Sequence, residues 1–429
     1  VVREKGESVT DIKGRIEEAN QQAVRRMVAG DPVLVDVAPA GEVIPAFADG
    51  KKRILHSGPP VRWDQMCGAQ RGSAVGVALF EGWARTPEEA QELLASGEVE
   101  VEPNHPHRAV GPMAGTISPS LPVFVVENRA FGNRAFCRPV EDRQQFGDFG
   151  PEAVGILCRW RDLFGPALGA ALRASGGLSL KPLIARALEM GDELHNRQVA
   201  ASALLANALA VPLVEAGLPQ EQLLATLRLL VHHPVFFLGP AMAAAKSIAD
   251  PARGIPYSTV VTAMARNGFE FGIQVSSLEG EWFTAPAPRV EGLLFPGYKA
   301  EDAGLDMGDS AITETVGWGA FVLGGAPGIL SLVGGTVAQA LAYTREMREI
   351  TVGVHPDLRL PALDFQGIAV GIDVRKVLRS GSAPIIDTAI AHRDPGHPKI
   401  GAGLVRAPLE CFRKALVRFA EKHELARVG

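Results

Sequence analysis

From Thr315 to Tyr343 the chain carries no charged side chain, and seven glycines and Pro327 are set among its apolar residues. A run of that length reaches the span of a membrane helix. Glycine and proline at this density lower helix propensity steeply, however, and no basic cluster flanks the run closely. The expectation is therefore a buried core of helix and loop rather than a membrane span. Directly before it lie Asp309, Ser310, Thr313 and Glu314. Polar groups carried into a core need partners, and glycine lets backbone approach backbone or ligand. These four residues become candidate substrate-binding groups, with the two acids expected to orient a cation such as Arg266.

The 429 residues have ample length for two or three domains. A net charge of −5 gives no global basic field, so neither nucleic acid nor anionic lipid is expected as a partner. The four cysteines stand singly, without a Cys-x-x-Cys pair, which argues against a disulfide framework or a structural zinc site. The opening residues 1–20 are charged and amphipathic rather than signal-like. A cytoplasmic protein without metal or cofactor is the expectation.

The fold class expected is α/β plus α+β. Residues 1–130 read as a Rossmann-like parallel α/β domain, 131–250 as a mainly helical region, and 251–429 as an α+β domain with buried glycine-rich helices. Ile12, Ile16, Ala19, Ala23 and Met27 recur at helical spacing over 9–29, where Thr10 or Asp11 can cap. Residues 32–39, the apolar run 74–83 and the alternating 98–102 read as strands. Thr86-Pro87 starts a helix between the last two, which makes a parallel strand–helix–strand unit. No Gly-x-Gly-x-x-Gly fingerprint accompanies it, so a dinucleotide is not supported. Ala-Leu-rich helices fill 151–249. Strands return at 269–275, 282–283, 368–373 and 384–390, before a final helix over 408–426.

Polar residues gather in short motifs rich in Gly and Pro. In residues 55–72, Ser57-Gly58 can offer backbone N–H groups to an anion and Arg71 a bidentate clamp; a well-bonded loop is the alternative. Residues 103–120 follow a strand end and contain Asn104, His105, His107 and Ser118. The two histidines lack a nearby third ligand, which favours an anionic substrate over a metal. Asp192, His195 and Asn196 sit at helical i, i+3, i+4 spacing, the arrangement that orients a general base or anchors a structural bond. Arg266-Asn267 stands in an apolar context ending at Gly268, read as a helix C-cap. A charge so embedded needs a partner, either Asp309, Glu314 or a substrate carboxylate. Arg375, Lys376, His392, Arg393 and Lys399 lie beside glycines, as an anion site or as a solvated face.

The blocks ILHSGPP (54–60), MCGAQRG (66–72), PNHPHRAVGPMAGTISPS (103–120), MGDELHNR (190–197), VTAMARNG (261–268), GDSAITET (308–315) and GIDVRK (371–376) occur in this order. Over nearly its whole length the chain thereby resembles the AllG/YlbE-like family, encoded beside allantoin-degradation genes. It departs from that family at residues 232–237. The resemblance implies the large subunit of oxamate carbamoyltransferase, which interconverts oxalurate plus phosphate with oxamate plus carbamoyl phosphate. It also implies two further subunits as partners, one similar to succinyl-CoA synthetase, and small anions as ligands; a homo-oligomer is expected as well. A scaffold subunit and a small-amide hydrolase are the alternatives. Within carbamoyl transfer, His105, His195 and Arg266 are the expected catalytic residues. Asn267 would share the oxamate with Arg266, Ser57, Arg71 and Ser118 would lie on the phosphate side, and Asn104, Asn196, Arg375 and His392 complete the candidate binding set.

Overall fold

The computed structural model describes residues 2–3 and 9–427. Helix Val9–Val28 buries the apolar stripe read from the sequence, with Ile12, Ile16, Ala23 and Met27 inside. Its buried Asn20 accepts a hydrogen bond from Thr259 N–H (2.7 Å) and donates to Thr259 Oγ1 (2.9 Å), pinning the helix to the C-terminal half. The helix starts before both proposed caps, and the Thr10 side chain lies outside the described residues.

The parallel unit exists, with a different first strand. Strand Arg53–His56 pairs in parallel with Glu100–Pro103. The crossover is two helices, Gly68–Phe80 and Pro87–Ala95. The apolar run 74–83 is thus mostly helix, because a short run buried on every side has no periodicity to separate the two states. Thr86 does cap the second helix, its Oγ1 accepting from Glu89 N–H at 3.2 Å. Beside this unit lies a five-stranded sheet in the order Ala109–Val110, Asn133–Cys137, Pro122–Asn128, Pro32–Pro39, Leu178–Ser179. Its long central pairs are antiparallel.

Helices occupy most of 151–249 and pack on that sheet. Leu168, Leu172, Leu205 and Phe237 join Leu34, Phe124 and Val126 in one core. The remainder is α+β. One sheet runs Phe283–Pro286, Glu270–Val275, Val261–Asn267, Met307–Gly308; a second runs Glu291–Leu294, Lys399–Arg406, Ile385–Ala391. A pair, Thr351–Leu360 with Gln366–Ile372, stands beside them. The mixed α/β plus α+β class read from the sequence is the class observed.

Residues 306–324 are buried without exception. They form only short pieces, helix Ile312–Thr315 and a 3-10 segment Gly319–Gly325, before helix Val337–Glu349 resumes. Among the described residues no helix is long and apolar enough to cross a membrane. The glycine-rich run is core only as far as Gly324, with its polar cluster inside; beyond it residues 327–328, 331 and 335–339 are exposed, so the expected burial holds for the first part of the run alone.

Candidate active site

Residues 190–198 are not helical: Gly191 (φ +90°) and Leu194 (φ +71°) are both left-handed. The cause is local competition for backbone donors. Glu193 accepts from the N–H groups of His195 (2.9 Å) and Arg197. Asp192 accepts from Ala201 N–H at 2.8 Å, across the start of the next helix. The shared helical face of Asp192, His195 and Asn196 therefore does not form, and Asp192 is not the carboxylate that serves His195.

That carboxylate is Glu314, 2.8 Å from His195 Nδ1. Glu314 also accepts from Thr313 Oγ1 (3.0 Å), Ala320 N–H (3.1 Å) and Asp387 N–H (3.1 Å). A carboxylate so held fixes the imidazole's orientation and, in the neutral ring, places the proton on Nδ1. Nε2 then has no protein partner among the described residues. Gly319 makes room for the arrangement: at φ +59°, a Cβ there would lie 2.0 Å from Glu314 Oε1.

His195 borders a cavity of about 70 Å³, together with Asn196, Ser310, Gln145, Lys399 and the apolar Met113. Asn196 donates to Asp387, which is fully buried in strand Ile385–Ala391. Burial pushes the Asp387 carboxyl up to about 7, against the opposing effects of His195 and Asn196. Burial likewise raises Glu193, helped by Asp387 and Glu314, and lowers the Lys399 ammonium, against Asp387. The site thus combines an oriented imidazole, a cation and two amides around a space for a small molecule. Among the described residues no group of three or more His, Cys, Asp or Glu side chains is placed to hold a metal ion.

A second polar knot surrounds Asp309, which accepts from Gly58 N–H (2.7 Å), Gly111 N–H (2.9 Å) and Asn104 Nδ2 (2.8 Å). His105 Nε2 lies 3.4 Å away, too long for a well-formed bond, and its ring meets Trp282 edge-on. Burial pushes Asp309 up, but His105, Asn104 and the Gly58 N–H outweigh it and hold the carboxyl below its usual range. Burial lowers His105 in spite of Asp309. The Gly58 N–H expected to meet an anionic ligand is therefore already occupied by a protein carboxylate.

Arg266 is fully buried, and its partner is Asp306 (2.8 Å), not Asp309 or Glu314. It also donates to Gly308 O (2.7 Å), Ser310 Oγ (3.4 Å) and Thr388 Oγ1 (2.9 Å). It sits on a strand, not a helix. Asn267 ends that strand by accepting from Phe269 N–H (2.9 Å) and Glu270 N–H (2.6 Å), which builds a hairpin turn around Gly268. Strand Val261–Asn267 packs so close to Gly58 that a Cβ on that glycine would lie 2.5 Å from Asn267 Cβ.

The other predicted residues scatter. Ser57 Oγ donates to Gly111 O (2.9 Å), and Gln70 rather than Arg71 reaches the Ser57 carbonyl (2.8 Å). Arg71 is exposed against the Trp63 and Asp64 carbonyls. Ser118 is buried with its hydroxyl unpartnered. Arg375 bonds Asp373 (2.8 Å) and Thr259, and His392 stacks on His397 (3.8 Å between centroids). The cavity thus gathers His195, Asn196 and Ser310, with Thr313 and Glu314 behind them. Sequence reasoning missed Asp387 and Gln145 and left Lys399 in a diffuse charge cluster. Asp387 did have a signal, a lone carboxylate within an apolar strand; Gln145 had none.

The family described as oxamate carbamoyltransferase subunit AllG matches residues 99–310. Oxamate carbamoyltransferase subunit AllG of Escherichia coli (strain K12) is 43% identical over 95% of this chain and 98% of its own length. The chain belongs to the AllG family. A second relative, the uncharacterized protein YahG of the same strain, is 45% identical over 95% of this chain and 87% of its own. The crystal structure of a conserved protein of unknown function from Enterococcus faecalis V583 superposes with a TM-score of 0.94 at 44% identity, covering 96% of this chain and 99% of that one.

Proposed function

We infer that the chain is a subunit of an oxamate carbamoyltransferase in the cytoplasm, acting in allantoin nitrogen catabolism. In this reading it interconverts oxalurate plus phosphate with oxamate plus carbamoyl phosphate, the oxamate moiety lying in the His195 cavity. The observation that carries it is the His195–Glu314 pair, opening on a small cavity with amide donors and a cation around it. In the synthetic direction the oxamate nitrogen attacks the carbonyl carbon of carbamoyl phosphate. A C–N bond forms, the C–O bond to phosphate breaks, and the nitrogen's proton passes to His195 Nε2. In phosphorolysis a phosphate oxygen attacks the ureido carbon, and His195 returns the proton to the leaving nitrogen. Glu314 stabilises the imidazolium in both directions. The tetrahedral oxyanion calls for preorganised donors, and Asn196 or Ser310, both lining the cavity, would supply one.

Assembly with other subunits belongs to the same reading. Helices Val199–Glu215 and Gln220–His232 leave Val211, Val214 and Val231 more than 60% exposed, and solvent-facing apolar residues of this kind fit a subunit contact. The test is phosphate-dependent cleavage of oxalurate by the assembled complex. His195→Gln is expected to lower turnover by about 10²–10⁴-fold. Cleavage without phosphate would favour an amide hydrolase, and unchanged turnover in the variant would place the chemistry on another subunit.

A further inference from the structure

The cavity beside His195 contains polar groups that the protein leaves unanswered. The ammonium of Lys399, at the start of strand Lys399–Arg406, makes no hydrogen bond or ion pair with any described residue, although Lys399 lines the cavity and is half-buried. Fully buried cations among the described residues are matched, Arg266 by Asp306, Arg138 by Glu141 and Lys246 by Asp250, whereas the half-buried Lys399 is not. A cation withdrawn from water without a partner is costly. The second unanswered group is Gln145, which is 3% exposed and lines the same cavity with its Oε1 unpartnered. An amide can present either its carbonyl or its NH2 to a ligand.

The surroundings limit the ligand's charge and size. Asp142 stands exposed at the cavity rim, and the buried Asp387 and Glu193 lie within electrostatic reach of Lys399. One cation among acids suits a single negative charge and repels a dianion. A water needs roughly 10–15 Å³ of space, so a cavity of about 70 Å³ has room for a small molecule. Met113 and Phe146 form an apolar wall with no further cation.

We propose that this cavity is a subsite for a short monocarboxylate with an amide next to its carboxylate, in which Lys399 pairs with the carboxylate and Gln145 meets the amide. The proposal rests on the reading of the His195 cavity as the acceptor side of the reaction site, and it adds that the dianionic phosphoryl group is held next to this cavity rather than in it. Lys399 and Gln145 are specificity-determining residues for the acceptor.

Calorimetric titration of the full chain tests this with oxamate, oxalate and inorganic phosphate as probes, each variant being checked for folding by thermal melting. Oxamate should bind more tightly than oxalate, and phosphate should neither bind in this cavity nor displace oxamate. Lys399→Met should weaken oxamate binding roughly tenfold to a hundredfold and Gln145→Leu by about tenfold, while Lys399→Arg keeps part of the affinity. Should Lys399→Met fail to fold, Lys399→Arg and Gln145→Leu decide the matter. Oxamate binding within threefold of the unaltered chain in the folded variants, no oxamate binding at all, or displacement by phosphate overturns the proposal. Binding that depends on Lys399 in a complex without carbamoyl transfer would retain the subsite and reject the reaction. Transfer that is indifferent to Lys399 would do the reverse.

Discussion

His195 Nδ1 lies 2.8 Å from Glu314 Oε1, although the two residues are 119 positions apart in the chain. The bond joins the turn after helix Lys181–Glu189 to the mouth of the glycine-rich core. Glu314 acts through His195 and is a positioning residue. Glu314→Gln should lower kcat by roughly 10–100-fold with little change in KM. Glu314→Asp, which keeps the carboxylate, should recover part of that loss. A Glu314→Gln enzyme with the parent's kcat would remove Glu314 from the mechanism.

Gly319 is the glycine that this pair depends on. Gly319→Ala places a methyl where Glu314 Oε1 now lies and imposes a left-handed φ on a side-chain-bearing residue. Turnover should drop about as far as in Glu314→Gln, with a stability loss of about 1–3 kcal/mol. Denaturant unfolding and steady-state kinetics on one preparation check both.

Arg266→Ala should fail mainly as a folding variant. Its guanidinium has four protein acceptors, and removal leaves the buried Asp306 carboxylate uncompensated. A loss of about 3–5 kcal/mol is expected from breaking such a pair. A variant that melts like the parent yet loses turnover would instead return Arg266 to the substrate.

Asp387 provides a pH signature. Its carboxyl is raised from 3.8 to about 7, so the folded protein holds this proton more tightly than the unfolded chain does. The stabilising contribution is full below the unfolded value and is lost as pH rises through the folded one. Asp387→Asn cannot ionise, so its melting temperature should gain on the parent between about pH 5 and about pH 8. Equal gains at both values would mean that Asp387 does not titrate in this range.

Much of the site was legible locally. His195, Asn196, Ser310, Thr313 and Glu314 stood out as polar groups in apolar or glycine-rich contexts, and burial makes such groups matter. The partners were not legible. Asp192 at i−3 looked like the carboxylate for His195, but Glu193 bonds two backbone N–H groups and breaks the helix that spacing assumed. Arg266 was expected beside Asp309 or Glu314 and meets Asp306, because strand Met307–Gly308 pairs antiparallel with Val261–Asn267 and brings that neighbouring acid alongside.

The sequence by itself determined the class of fold, the burial of the first part of the glycine-rich run and the family, because hydrophobic spacing, glycine content and ordered motifs are properties of contiguous residues. Only the tertiary structure decided that Glu314 serves His195 and that Gln145 and Lys399 share its cavity. Those contacts span strands and turns far apart in the chain, and their register is set by sheet pairing and core packing, which no local spacing encodes.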